Sequence, residues 1–183
     1  GGSPTPTHTH APGPVKAAVS ASPHVTSTTA SPSPSAVALP PDFKLYNGPG
    51  FSVGVPRSWN GVTWPGGPSF LTADRNSRVT YTKLPDTTAL AAEVMAARQA
   101  EALSGKQGVT ITRQGPATGL LAAPGTADLE YLWNANAGQM HMLERTVVAN
   151  GHAYAITLQL PVATWDQQIS TLAPILTSFT PSP

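Results

Sequence analysis

The chain has 183 residues, of which 10% are charged, and a net charge of +1, so it has no bulk field to draw in nucleic acid or an anionic membrane. It contains no Cys, which excludes disulfides, thiolate chemistry and cysteine-ligated zinc, and suits an exported protein. No apolar run approaches the ~20 residues that span a bilayer, and Gly1-Gly2-Ser3 is no signal peptide, so any targeting or anchoring segment is expected outside this sequence.

Residues 1–42 hold nine Pro, seven Ser and six Thr, together 22 of 42 positions, and Lys16 and Asp42 are their only formal charges. So little apolar surface cannot offset the entropy of ordering, and the stretch is predicted to be a disordered linker. Ser and Thr interleaved with Pro and Ala read as a stiff spacer of the kind often O-glycosylated. Fully extended as polyproline II it would reach ~130 Å, at about 3.1 Å per residue. His8, His10 and His24 are irregularly spaced on this stretch, and no metal is assigned to them. Residues 43–183 have the size and patterning of one globular domain with a single core.

Within that domain, Phe51-Ser52-Val53-Gly54-Val55 alternates with period two and stops at Pro56, which predicts a half-buried strand. Leu45-Tyr46 is its hairpin partner across Asn47-Gly48-Pro49-Gly50. Residues 57–68 read as a Gly/Pro-rich loop carrying Trp59 and Trp64. Residues 69–72 and 79–82 form a second strand pair around Asp74-Arg75-Asn76-Ser77. Pro85-Asp86-Thr87-Thr88 supplies helix-start chemistry, and residues 90–103 are predicted helical, with Leu90, Val94 and Ala97 on one face and Ser104-Gly105 as the stop. A meander follows. Residues 109–112 form a strand, and Gly115-Pro116 and the 119–125 loop interrupt. Leu129, Tyr131 and Trp133 then face one way, with Asp128, Glu130 and Leu132 facing the other. Asn136-Ala137-Gly138 turns into a strand over residues 141–148. Asn150-Gly151 is the strongest hairpin signal, since both residues tolerate positive φ. Tyr154, Ile156, Leu158 and Leu160 form an inward row.

The last element, residues 164–179, opens on Thr164-x-x-Gln167, which fits a capping box. Its stripe is Trp165, Ile169, Leu172, Leu176 and Phe179, and Pro174 predicts a kink or a restart. About seven antiparallel strands and two helices far apart in sequence give an α+β domain, an antiparallel sheet covered by two helices.

Four ordered patterns carry a family resemblance: Gly50-Phe51-Ser52-Val53-Gly54-Val55-Pro56 with Trp59 close behind; Asp128-Leu129-Glu130-Tyr131-Leu132-Trp133; the Asn150-Gly151-His152-Ala153-Tyr154-Ala155-Ile156 hairpin; and the Trp165-led helix ending Thr177-Ser178-Phe179. Over roughly residues 44–180 this resembles the PsbP-like α/β/α sandwich found in extracellular domains of actinobacterial serine/threonine protein kinases and in related secreted lipoproteins. The resemblance implies a non-catalytic binding module, extracytoplasmic, at the cell surface or secreted. It carries over no ligand-binding residue, because the family has no invariant ligand motif. The apolar segment 119–124 departs from it, where a shorter turn is expected.

No nucleophile elbow, zincin motif, P-loop or dinucleotide fingerprint occurs, so no catalytic residue, metal or cofactor is assigned. His141 and His152 would be neighbours across the Asn150-Gly151 hairpin in one register, and with Glu144 would suggest acid–base work; ordinary strand positions are the simpler reading. Asp128 and Glu130 on one strand face would suit a cation, but a solvated face fits better. Trp59 and Trp64 can stack on a sugar ring or a peptide, with Trp59 better suited to plugging an end of the sandwich. Arg57, Arg75 and Arg78, if gathered at one end of the sheet, would meet an anionic group; scattered surface positions are the default. The ligand-binding candidates are therefore Trp64, Trp59 and Arg57, with Leu120 and Leu121 as the alternative surface.

The first reading is an extracytoplasmic sensor or partner-binding domain of a membrane-anchored serine/threonine kinase. Its partner is a cell-envelope ligand or protein, not nucleic acid, and it meets the membrane only through a segment outside this chain. The runner-up is a free secreted or lipid-anchored binding protein of the same fold, and a third is a small hydrolase with an unrecognised site.

Overall fold

The computed structural model describes residues 1–5 and 38–183, so most of the expected linker lies outside the described residues. The chain builds two sheets. β1 (Phe43–Gly48) and β2 (Phe51–Pro56) form a hairpin around Pro49-Gly50, with Gly48 opposite Phe51. β10 (Thr180–Pro181) returns to the other side of β2, giving the order β1-β2-β10. Leu39 packs on the core beside this sheet, against the backbone of Gly54, where any Cβ would collide with it. Leu39, inside the segment read as linker, is therefore part of the packing of the domain.

The second sheet has seven strands: β3 (Asn60–Trp64), β4 (Gly67–Leu71), β5 (Arg78–Leu84), β6 (Gln107–Gly115), β7 (Thr126–Ala135), β8 (Gly138–Ala149) and β9 (His152–Pro161). All neighbours are antiparallel, in the order β3-β4-β5-β9-β8-β7-β6. Helices α1 (Ala91–Leu103), α2 (Trp165–Leu172) and α3 (Pro174–Thr177) complete the α+β architecture. The expected loop over residues 57–68 is instead mostly the β3–β4 hairpin. Its Gly and Pro concentrate at the Pro65-Gly66 turn, leaving Val62-Thr63-Trp64 free to pair.

The face of the large sheet carrying Val79, Tyr81, Leu143, Val147, Ile156, Leu158 and Leu160 is closed by Phe51, Val53 and Val55 of the small sheet and by Trp165, Leu172, Ile175 and Leu176. Tyr81 Oη donates to the Ile175 carbonyl at 2.9 Å, which ties sheet to helix inside the core. The C-terminal helix does restart. Pro174 occupies the first turn of α3, where its missing N–H costs no intrahelical bond. The expected capping box does not form; Thr164 Oγ1 lies instead against Pro161 O and Gln168 Oε1. Phe179 leaves the helix and stacks on Phe51, with ring centroids 5.0 Å apart.

The opposite face carries Leu129, Tyr131 and Met142, packed by Met95, Ala102 and Leu103 around α1. The helical stripe expected to bury Leu90, Val94 and Ala97 is rotated. Leu90 precedes the helix and is 71% exposed, and the only fully buried α1 residue is Ala91. The large side chains of β7 and β8 take small or flexible partners from α1, so Ala91, Met95 and Ala102 turn inward.

Candidate functional site

β9 alternates large and small residues, and the small ones face α1. Ala153, Ala155 and Thr157 pair with Leu84, Thr82 and Thr80 of β5; Ser69 of β4 lies opposite Thr80, and Val62 of β3 opposite Ser69. α1 packs chiefly over β7 and β8. A groove of about 570 Å³ lies between α1 and β5, walled by Val94, Ala97, Arg98 and Glu101 and floored by Thr82 and Leu84. The Pro65-Gly66 tip stands beside this floor, because a Cβ at Gly66 would meet Thr80 and Thr82 at 3.8 and 3.9 Å.

At the outer edge of the same face, the Arg78 guanidinium lies over the Trp64 indole, 5.6 Å from the ring centroid. Arg78 Nη2 donates to Gln159 Oε1 at 3.2 Å, and Gln159 Nε2 donates to the Asn76 carbonyl at 3.1 Å. Burial pulls the Arg78 pKa down.

The remaining candidate residues are scattered. Trp59 is 7% exposed and part of the core. Arg57 is exposed and donates from Nε to the Pro41 carbonyl. Leu120 is exposed and Leu121 is partly buried against the core, in a 3-10 turn at Gly119–Leu121 between β6 and β7. In the strand order that turn lies beside the edge opposite Trp64, so the structure does not bring these residues together.

Asp128 and Glu130 are not on a solvated face. Asp128, fully buried, accepts from Arg145 Nε at 2.8 Å and Nη2 at 3.0 Å, and from Arg113 Nη2 at 2.9 Å. Arg113 Nε then donates to Glu130 Oε2 at 2.8 Å, and Glu130 Oε1 meets His141 Nε2 at 2.6 Å. The His141 ring stacks on Trp165 at 3.4 Å. Burial pushes the Glu130 carboxyl up, but its hydrogen bonds from His141 and Arg113 outweigh that and hold it below the usual range. Each acid in this chain of charges is already satisfied by a neighbour, which makes it a structural element. The sequence pattern hid it because Arg113 and Arg145 reach Asp128 only once the β6–β7–β8 register is known.

The two histidines are not hairpin neighbours. His141 pairs with Leu160 and His152 with Ala149, and His152 Nδ1 lies 2.9 Å from Asp86. Glu144 points to the α1 face, away from His141, and accepts from Thr157 Oγ1 at 3.3 Å. Burial raises its pKa above the usual carboxylate range. The Tyr131 hydroxyl is also pushed up, by burial first and by Glu144 beside it. Among the described residues, no group of three or more His, Cys, Asp or Glu is placed to hold a metal ion, and no helix is long and apolar enough to cross a membrane.

Solved structures share this architecture. Cyanobacterial PsbP (CyanoP) from Synechocystis is 16% identical with a TM-score of 0.59, over 79% of this chain and 95% of that one. LpqN, involved in cell envelope biogenesis of Mycobacterium tuberculosis, is 17% identical with a TM-score of 0.50, over 77% of this chain and 91% of that one. The fold is PsbP-like. No curated protein matches the chain in sequence. Residues 45–181 match the serine/threonine kinase C-terminal domain family, and the chain belongs to that family.

Proposed function

We propose that this chain is the non-catalytic, extracytoplasmic sensor or partner-binding domain of a membrane-anchored serine/threonine kinase, and that it holds its ligand on the half of the sheet that α1 leaves open. Membership of a kinase C-terminal family and the Pro/Ser/Thr-rich sequence ahead of the domain support the placement. The observation that carries the site is the asymmetry of cover. One sheet face is sealed by a second sheet and two helices, while the other keeps a groove between α1 and Thr82 and Leu84 of β5. Clefts of this size with a few convergent polar groups are where ligands bind.

The coding sequence ahead of Gly1 tests the placement. A membrane span preceded by a kinase catalytic loop is expected, and a lipoprotein signal with a modifiable Cys would overturn it in favour of a lipid-anchored binding protein. For the site, Ala97→Trp fills the groove from α1. It is expected to leave the thermal midpoint unchanged and to alter autophosphorylation of the full-length kinase in cells. Autophosphorylation identical to the parent would remove the groove from signalling.

A further inference from the structure

Arg78 is a half-buried cation without a counter-charge. Among the described residues no carboxylate lies within ion-pair distance of it; its partners are the Trp64 ring and the neutral amide of Gln159. Most other buried charge in the domain is handled differently, as Arg145 and Arg113 show by sharing Asp128. A ring face compensates a guanidinium far less than a carboxylate does. The Arg78 side chain is also held from both sides, since Gln159 is itself fixed by the Asn76 carbonyl, so little ordering entropy remains to be lost on binding. Thr80 and Thr82, both partly exposed, follow Arg78 on the same face of β5, with Thr80 bonded to the buried Ser69 at 2.7 Å, and the partly exposed Trp64 indole lies at the sheet edge. A fixed cation, a row of hydroxyls and a flat aromatic surface match a ligand that carries an anionic group on a polyhydroxylated ring.

We propose that Arg78 and Trp64 form an acidic-saccharide subsite, in which the guanidinium takes a carboxylate or phosphate of the ligand and the indole takes the sugar ring. The inference rests on the reading that the open half of the sheet is the ligand face, and it names the ligand class for that face.

The test is a titration of the full 183-residue chain, followed by NMR at the Trp64 indole N–H and the Arg78 Nε–H, with glucuronate, glucose 1-phosphate and glucose. A saturable shift of both signals with at least one acid, and none with glucose, is expected. The acid that acts tells a carboxylate-bearing from a phosphate-bearing source. Arg78→Gln should weaken that binding by about tenfold or more, with Arg78→Lys intermediate and both variants folded by circular dichroism. Glucose acting as strongly as the acids would overturn the proposal, as would no saturable response to either acid, or undiminished binding by Arg78→Gln. If the acids fail while Ala97→Trp still alters signalling, the ligand face stands and only its chemistry is wrong. If Ala97→Trp is also silent, the face itself is wrong.

Discussion

The two faces of the seven-stranded sheet are built from the same strands and do opposite things. Along β5, Val79 and Tyr81 point one way into a sealed core, while Thr82 and Leu84 point the other way and floor the groove beside α1. Strand periodicity lets each face be written independently, so a stable interior and a groove floor sit back to back across one backbone. The closed side contains the Asp128 charge chain and the larger hydrophobic cluster. The open side is held by one helix whose only fully buried residue is an alanine, and it includes a partly buried acid, Glu144, with no ion pair among the described residues.

The sharpest way to break this contrast is to cut the charge chain on the closed side. Asp128→Asn leaves Arg145 buried without its counter-ion, and chemical denaturation should show a loss of about 3–5 kcal/mol. A midpoint shift within error of zero would mean the two arginines find other partners. Next is the packing itself. Ile175→Ala, at a fully buried position, should cost about 2–5 kcal/mol, whereas Met95→Ala under α1 should cost about 1 kcal/mol because that side chain is only partly covered. Equal costs would erase the difference between the faces.

The smallest effect has the opposite sign. Glu144 has its folded-state pKa raised by burial, so the stability it contributes is complete below its unfolded pKa of about 4.3 and is lost as pH rises through the folded value. Glu144→Gln should therefore raise the thermal midpoint at neutral pH and flatten its decline from acid to neutral. A variant curve parallel to the parent's would show that Arg98 and Lys106 nearby already offset the buried charge.

Most of the fold was legible because its signals are local. The Asn150-Gly151 turn, the inward row of β9 and the restart at Pro174 each follow from a few adjacent residues. What escaped depends on register or on how far a helix is rotated. Trp64 appeared to sit in a loop because Pro65, Gly66 and Gly67 dominate its surroundings, yet they occupy only the turn and the first residue of β4. The α1 stripe was assigned one position off, since Leu90 looks apolar enough to bury and Ala91 does not. The candidate site was half visible. Trp64 stood out as an unusual aromatic, but its neighbour Arg78 joins it only through pairing across β3, β4 and β5.

The first and last strands of the domain flank the same partner, with β1 and β10 on either side of β2. Tension applied through the residues leading into β1 would load the β1–β2 hairpin and the Leu39 contact before anything else. Phe43 of β1 and Phe51, Val53 and Val55 of β2 are buried in the same core as the large sheet, so a pull strong enough to open the hairpin would be felt by the seven-stranded sheet as well. The small sheet is the handle of the domain and not a detachable cover.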